Sequence, residues 1–249
     1  MNERIQAWAL LSGGKDSLSV AAWLAERDML AGCVSLDTGL SIPEWRDFIE
    51  TTCRKQGWPL RMYAAKVGPY GSFPVYEGFV ERLGFPGPGL HSTAMRWLKE
   101  RALDNFRREK PGSLLASGMR LGESKRRLGS CKEWNVFAGM CVWSPLIQWT
   151  TEQTWAYFNT LGLARSPGYD VLGISGDCLC GAFARPDERD LISEFYPTVD
   201  SRLCKLEARL KEKGMKRCEW GWGNGKTKRP PSVLCVECHP TGLPKTGTR

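Results

Sequence analysis

Alternating apolar runs and amphipathic stretches occupy the first two-thirds of the chain. The apolar runs typical of buried strands fall at residues 8–11, 31–36, 60–65, 113–119 and 136–143. Apolar residues recur at helical spacing in segments 17–24, 45–56, 77–83, 92–108 and 152–161. Because strands joined through helices pair in parallel by right-handed crossovers, we expect a doubly wound, mainly parallel α/β sheet.

The C-terminal quarter of the chain departs from this alternation. Segment 186–214 predicts two helices, with Pro186 at the start of the first and Pro197 after its end. Periodicity is weak beyond residue 214. We therefore predict a main α/β domain at residues 1–185 and a helical and irregular, cysteine-rich extension at residues 186–249.

The most informative motif is SGGKDS at residues 12–17, directly after the first apolar run. A helix capped by Asp16 or Ser17 would begin there, and its free N–H groups and dipole would attract a phosphate. The spacing is neither that of a Walker loop nor that of a dinucleotide-binding loop. Taken alone, the motif is also compatible with a tight strand-to-helix turn that binds nothing.

Two other positions are expected to lie near this loop. Asp37 and Arg120 each follow the end of a predicted strand. Ligands of doubly wound sheets bind outside the carboxyl ends of the strands, where such loops meet. The sequence therefore predicts a crevice bounded by the SGGKDS loop, Asp37 and Arg120.

Composition and charge narrow the classes of partner. The 249 residues are 42% hydrophobic and carry a formal net charge of +8, which favours an anionic partner such as nucleic acid, a nucleotide or phosphate. No apolar run is long enough for a membrane span, and the N-terminus lacks the pattern of a secretory signal. We therefore expect a cytoplasmic protein that does not bind membranes.

Ten cysteines in a chain expected to be cytoplasmic favour metal binding over disulfides wherever they cluster. The four candidate ligands form a C-x-C and a C-x-x-C: Cys178, Cys180, Cys235 and Cys238. Four thiolates fit a [4Fe-4S] cluster or structural zinc, and spacing does not distinguish the two. Cys204 or Cys218 could replace one ligand, although Cys204 flanks the apolar helical stripe of Leu203, Leu206 and Leu210 and is expected to be buried.

Four motifs in a fixed order carry a family resemblance. SGGKDS at 12–17, LDTG at 36–39, GMRLGESKRR at 118–127 and WSPLIQWTTEQTW at 143–155 resemble the PP-loop ATP pyrophosphatases, specifically their phosphoadenosine-phosphosulfate reductase-like branch. The resemblance spans about residues 5–185 and implies an adenine nucleotide alpha hydrolase-like fold. It implies a nucleotide or anion pocket lined by Ser12, Gly13, Gly14, Lys15, Asp16, Ser17, Asp37, Lys99, Gly118, Arg120, Glu123, Ser124 and Arg127.

Within this branch, two residues favour cleavage of ATP. Lys15 could neutralise the charge that builds on departing pyrophosphate, and Asp16 is suited to holding Mg²⁺. Sulfonucleotide reductases of the branch usually have an eroded loop, whereas Lys15 and Asp16 are both present here. A resemblance to PP-loop enzymes that thiolate tRNA or install phosphorothioate in DNA favours iron over zinc at the cysteines.

The leading hypothesis is an ATP-dependent, AMP- and pyrophosphate-forming sulphurtransferase that adenylates an acceptor, with nucleic acid as the expected acceptor. It implies ATP, Mg²⁺, a [4Fe-4S] cluster and a sulphur donor such as a cysteine desulfurase, with partner subunits or a second copy left open. The candidate catalytic residues are Lys15, Asp16 and Cys238. Cys238 is included because its sequence context partly resembles the terminal cysteine motif of the reductases. Two alternatives stay open: a thioredoxin-dependent phosphoadenosine- or adenosine-phosphosulfate reductase, and a zinc-stapled nucleic-acid-binding module without catalysis.

Overall fold

The computed structural model describes residues 5–65, 75–123 and 132–224. The strands are β1 (Ala7–Leu10), β2 (Leu30–Asp37), β3 (Leu60–Ala64), β4 (Leu114–Ala116), β5 (Trp134–Phe137) and β6 (Met140–Trp143). The helices are α1 (Lys15–Ala25), α2 (Trp45–Gln56), α3 (Val75–Leu83), α4 (His91–Met95), α5 (Arg101–Glu109), α6 (Thr151–Thr160), α7 (Gly168–Val171), α8 (Glu188–Phe195) and α9 (Pro197–Glu212). Short 3-10 turns lie at Pro88–Leu90 and Leu121–Glu123, and a π-helical stretch at Arg96–Glu100 joins α4 to α5.

The six strands form one sheet in the order β3-β2-β1-β4-β6-β5. All neighbouring pairs are parallel except β5 with β6. The predicted α/β architecture with a mainly parallel sheet is therefore confirmed. Strand β1 is central, and its Ala9 pairs with Cys33 on one side and Ala116 on the other, so the loop that follows β1 lies in the middle of the carboxyl edge.

Both faces of the sheet are covered by apolar residues. Along β2, Cys33 packs in a core cluster with Leu18 of α1, whereas its neighbour Val34 packs in a second cluster with Leu103 and Phe106 of α5. Successive strand residues point to opposite faces, so this division follows from the pleat. It also explains why β2 is an almost unbroken apolar run rather than an alternating one.

The single strand predicted at residues 136–143 is wrong. The structure has a hairpin there, because Ala138 and Gly139 form a turn with positive φ angles of 51° and 70°. Such a two-residue turn suits the right-handed twist of the flanking strands. Alanine rarely adopts positive φ, so the presence of Ala138 does not predict this turn.

Two predicted helix caps are also wrong. Helix α1 begins at Lys15 after an extended Gly14, and no side chain caps it, so neither Asp16 nor Ser17 has that role. The same holds for α2: the sequence Ser41-Ile42-Pro43-Glu44 predicts a capping box, but the helix begins at Trp45 and no side chain caps it. The predicted end of this helix at residue 56 is confirmed, since Gly57 follows it with a φ of 67°, a left-handed conformation that glycine adopts without strain.

Helices α8 and α9 bury an apolar stripe against the same core as α1. Leu203, Leu206 and Leu210 are completely buried in that cluster. Cys204 is exposed, not buried as expected, and lies on the side of α9 that faces Arg189, whose Nη2 is 3.3 Å from its Sγ. The division of the chain at residue 185 stays a prediction.

Across the three described ranges, none of the helices combines the length and the apolar character that crossing a membrane requires.

Candidate nucleotide site and cysteine loop

The SGGKDS loop is held in shape by its own serines and by α2. Ser17 Oγ donates to the carbonyl of Gly14 at 2.9 Å and lies 3.2 Å from Ser12 Oγ. The indole of Trp45 donates to the carbonyl of Ser12 at 2.8 Å. Gly13 has a φ of 92°, which only glycine adopts freely. The loop is therefore fixed, with the N-terminus of α1 at the carboxyl edge of the sheet.

A cluster of three charges forms at the start of α1. The Lys15 ammonium is 2.9 Å from one oxygen of Asp16, and the other oxygen accepts from Arg120 Nε at 2.7 Å. Arg120 is completely buried and also donates to the carbonyl of Trp149 at 3.2 Å. Two cations share one carboxylate here. The cluster and the helix dipole together leave an excess of positive charge that would attract an anion.

The 118–120 segment approaches α1 closely because Gly118 has no side chain. A β-carbon at this glycine would lie 2.7 Å from the backbone carbon of Asp16 and 2.9 Å from the nitrogen of Ser17. Contacts that short with backbone atoms force a shift. Gly118 thus allows Arg120 to reach Asp16.

Replacing Gly118 with alanine should therefore lower the free energy of unfolding by about 1–3 kcal/mol, because the new methyl group must push the segment away from α1. Gly122→Ala is the matched control, since a β-carbon there meets nothing within 4 Å. That control should change the free energy by less than about 0.5 kcal/mol. Guanidinium unfolding measures both, and equal losses in the two variants would contradict the close approach.

Asp37 lies at the end of β2 and shapes the LDTG turn. One carboxylate oxygen accepts from the backbone N–H of Gly39 at 2.8 Å, and the other from Arg46 Nη2 at 2.7 Å. The buried Thr38 hydroxyl donates to the carbonyls of Leu40 and Asp177. The turn, whose Asp37 is a predicted pocket residue, is thus held against the loop that carries the C-x-C.

A cavity of about 180 Å³ opens beside Ser12 at the ends of β1 and β2. Its walls are mostly apolar, and it is lined by Leu10, Leu11, Ser12, Val34, Leu36, Met95, Lys99, Leu103, Phe137 and Asp177. Lys99 and Asp177 form an ion pair of 3.0 Å in its wall. Apolar walls with a few convergent polar groups are typical of small-molecule sites.

Sequence reasoning missed Asp177, although it stands directly before Cys178. Burial alone would lower the pKa of Lys99, but the carboxylate of Asp177 outweighs it, so the pKa lies above its ordinary value. Lys99 thus stays positively charged beside the carboxylate. It sits in the π-helical stretch at Arg96–Glu100, and such bulges are frequent at functional sites.

Cys178 and Cys180 lie side by side in the loop after Asp177. The contact with the Cys180 thiol, assisted by the Lys99 ammonium and the Thr38 hydroxyl, lowers the pKa of Cys178 to about 7. The same contact and burial raise the pKa of Cys180 well above its ordinary value. Cys178 is therefore the better thiolate ligand or nucleophile of the pair.

Two predicted metal ligands, Cys235 and Cys238, lie outside the described residues. Within residues 5–65, 75–123 and 132–224, His, Cys, Asp and Glu side chains form no group of three that could hold a metal ion. The part of the chain described here therefore supplies two of the four predicted thiolates. Cys218 is half-buried, and neither it nor the exposed Cys204 forms such a group with the C-x-C.

The end of the described chain nevertheless lies against the C-x-C loop. The indole of Trp220 donates to the carbonyl of Leu179 at 2.8 Å, and the amide of Asn224 donates to the carbonyl of Gly181 at 2.9 Å. Gly181 is so close that a β-carbon there would lie 2.7 Å from the Trp220 nitrogen. The chain thus returns to the loop eleven positions before Cys235.

The remaining predicted pocket residues come from the GMRLGESKRR segment. Glu123 ends the 3-10 turn at Leu121–Glu123, whereas Ser124 and Arg127 lie outside the described residues. The structure thus brings residues 12–17, Gly118 and Arg120 together at one point. Asp37 lies at the end of β2, and Lys99 lies in the wall of the cavity.

Comparison with protein families decides the class. The model of the phosphoadenosine phosphosulfate reductase domain matches residues 6–171. The chain belongs to this family. The predicted resemblance to the PP-loop ATP pyrophosphatase-like superfamily is thereby confirmed, and with it an enzyme family that binds nucleotides. No curated protein matches the chain.

Solved structures with a similar fold have sequences that differ widely from that of this chain. Phosphoadenylyl-sulfate reductase from Candida auris, in a phosphate complex, is 16% identical with a TM-score of 0.47, covering 66% of this chain and 76% of that one. The U34-tRNA thiolase NcsA from Methanococcus maripaludis, solved with its [4Fe-4S] cluster, is 17% identical with a TM-score of 0.46, covering 94% and 79%. FMN adenylyltransferase from Candida glabrata, with FAD and inorganic pyrophosphate, is 16% identical with a TM-score of 0.41, covering 63% and 48%, so the chain spans about half of that enzyme. Family membership rests on the domain match alone.

Proposed function

We propose that this family member is an ATP pyrophosphatase that adenylates an acceptor for sulphur transfer, with nucleic acid as the acceptor. The observation that carries the proposal is the charge cluster at the start of α1, where Lys15 and the buried Arg120 share the carboxylate of Asp16 beside an apolar cavity. A protein that only binds nucleic acid has no need of such a cluster in a crevice.

The reaction follows from this arrangement. The apolar cavity takes the nucleoside, and the SGGKDS loop holds the phosphates at the N-terminus of α1. An oxygen of the acceptor attacks the α phosphorus, the bond to the bridging oxygen breaks, and pyrophosphate leaves with the electron pair. Lys15 turns from Asp16 to the departing group, whose growing charge it stabilises. A sulphur nucleophile then displaces AMP from the adenylated acceptor.

Magnesium fits the donor set of this site. Mg²⁺ is usually held by one or two carboxylates together with substrate phosphates and water. The Asp16 carboxylate is the nearest such donor to the loop, and it becomes available as Lys15 turns away while Arg120 keeps its 2.7 Å contact. When bound, the ion would add positive charge at the phosphates, and Asp16 would hold it there.

A thiolate-held cluster fits the cysteine loop in part. Cys178 and Cys180 supply two ligands, and the low pKa of Cys178 favours the thiolate that metals require. The return of the chain through Trp220 and Asn224 supports Cys235 and Cys238 as the other two, although four protein thiolates would leave no iron open to sulphide. If only three of the four cysteines are ligands, the fourth would instead be the sulphur carrier.

The experiment is a pyrophosphate assay on protein purified without oxygen. With ATP and Mg²⁺ we expect pyrophosphate and AMP, stimulated by tRNA or DNA, and with a cysteine desulfurase and cysteine we expect sulphur in the nucleic acid. If no pyrophosphate forms with either tRNA or DNA, the proposal is contradicted. Tight, salt-sensitive nucleic-acid binding together with stoichiometric zinc would then favour the binding module.

A second candidate rests on the family match itself, since the matching model is named for phosphoadenosine phosphosulfate reductase. A reductase would release sulfite from a sulfonucleotide with thioredoxin and without consuming ATP. Mixing the protein with phosphoadenosine phosphosulfate and reduced thioredoxin separates the two functions. We expect no sulfite, because the loop keeps the charges that pyrophosphate release needs.

A further inference from the structure

The segment from Ser166 to Asp177 lies between the phosphate loop and the C-x-C, contacts the loop at one end and leads directly into Cys178 at the other. At its start, the backbone N–H of Ser166 donates to the carbonyl of Gly13 at 3.3 Å. Just beyond, Tyr169 Oη lies 2.9 Å from the position that a β-carbon on Gly14 would take. One end of the segment is therefore packed directly on the SGGKDS loop.

Side-chain hydroxyls carry the contact onward. The buried Ser166 donates from its Oγ to the carbonyl of Ser175 at 2.6 Å. Ser175 donates from its own Oγ to Oδ1 of Asp177 at 2.6 Å. A continuous series of hydrogen bonds thus runs from the Gly13 peptide to the residue before Cys178.

Asp177 is held from its other sides as well. Its Oδ2 accepts from the Lys99 ammonium at 3.0 Å, and its carbonyl accepts from the Thr38 hydroxyl at 3.1 Å. Beyond it, the backbone N–H of Leu179 donates to the carbonyl of Leu40 at 2.9 Å. The orientation of the C-x-C is therefore set by contacts to the phosphate loop, the LDTG turn and the π-helical stretch together.

We propose that Asp177 is a positioning residue that couples occupancy of the phosphate loop to the placement of Cys178, through Ser175 and Ser166. A bound nucleotide fixes the Gly13 peptide, which favours the conformation in which the Ser166 and Ser175 contacts are all formed. The C-x-C loop then opens less often. The inference rests on the proposed nucleotide site and adds that binding of a nucleotide there changes the placement of the cysteines.

Hydrogen exchange of the peptide that spans residues 176–182 tests the coupling. The probe is ATP with a methylene group between the α and β phosphates, which the proposed reaction cannot cleave, added with Mg²⁺ to the full chain purified without oxygen. Coupling free energies between sites typically change an equilibrium at least about 5-fold, so exchange in this peptide should slow by that factor. Ser175→Ala should bind the analogue in calorimetry and lose the slowing.

Two matched variants separate coupling from general loosening. Ser175→Thr keeps the hydroxyl and should restore the slowing, while Ser19→Ala removes a buried hydroxyl of α1 without a hydrogen-bond partner and should behave as wild type. An analogue that binds without slowing exchange, or equal slowing in wild type and Ser175→Ala, would overturn this inference and leave the proposed function intact. Failure of the analogue to bind would overturn both.

Discussion

Replacing Lys15 with methionine is expected to reduce pyrophosphate release by about 100-fold or more while the protein stays folded. Removal of one preorganised charge or donor from a developing anion typically costs that much in rate. The Lys15 side chain is almost completely buried, and its ammonium lies 5.3 Å from the centre of the Trp155 ring. Methionine keeps most of the volume and the ring contact, so the loss is chemical and not structural.

The control for this variant is Lys55→Met, which removes a lysine from α2, away from the SGGKDS loop. Its pyrophosphate release should equal that of wild type, and both variants should melt within a few degrees of the unmodified chain. Arg120 keeps its contact with Asp16 in the Lys15 variant, so the carboxylate is not left without a cation. Full activity in Lys15→Met would mean that the cluster serves folding alone.

The fold could be predicted from the sequence because strands and helices of this chain differ clearly in apolar period. β2 is buried on both faces and stands out as an apolar run, and α2 ends at Gly57 as its sequence predicts. The hairpin of β5 and β6 was missed for the opposite reason. Residues 136–143, which include the Ala138–Gly139 turn, look like one eight-residue apolar stretch, since Ala138 stands where Asn, Asp or Gly usually marks such a turn.

Only the residues of the site that directly follow strands could be predicted from the sequence. SGGKDS, Asp37 and Arg120 follow strands, so their meeting at one edge is a consequence of parallel topology. The contact of Asp16 with Arg120 depends on how closely the 118–120 segment packs against α1. That Gly118 permits this close packing cannot be recognised until the atoms around it are known. The importance of Asp177 could not be recognised from the sequence either, because its ion-pair partner Lys99 is 78 positions away in the chain.

These contacts change how the two chemical centres relate. In sequence, the phosphate loop and the C-x-C are separated by about 160 residues and look like independent sites. In the structure the segment between them contacts both, through the Ser166 N–H at the Gly13 carbonyl and through the Ser175 hydroxyl at Asp177. The proposed reaction would activate an acceptor at one centre and deliver sulphur from the other, and such a held arrangement would raise the effective concentration of the sulphur at the acceptor.

Replacing Cys178 with serine is expected to abolish the proposed iron-sulphur centre and leave the proposed nucleotide cleavage nearly unchanged. Protein purified without oxygen should be brown and hold about four iron atoms per chain. Loss even of a group that supports a metal ligand lowers metal affinity about 10–100-fold, so loss of a ligand should lower iron content at least tenfold. Cys180→Ser should do the same, because its thiol contacts that of Cys178 and is the neighbouring ligand of the proposed cluster.

Two other cysteine variants serve as controls for this result. Cys141→Ser changes an exposed thiol on β6, and Cys204→Ser changes the exposed thiol beside Arg189, so both should keep wild-type iron. Pyrophosphate release without acceptor should survive in all four variants, since none of these thiols belongs to the charge cluster at Lys15. Sulphur transfer should be lost only where iron is lost. A colourless wild-type protein with stoichiometric zinc would reverse the choice of metal, and iron retained in both Cys178→Ser and Cys180→Ser would remove the C-x-C from the ligand set.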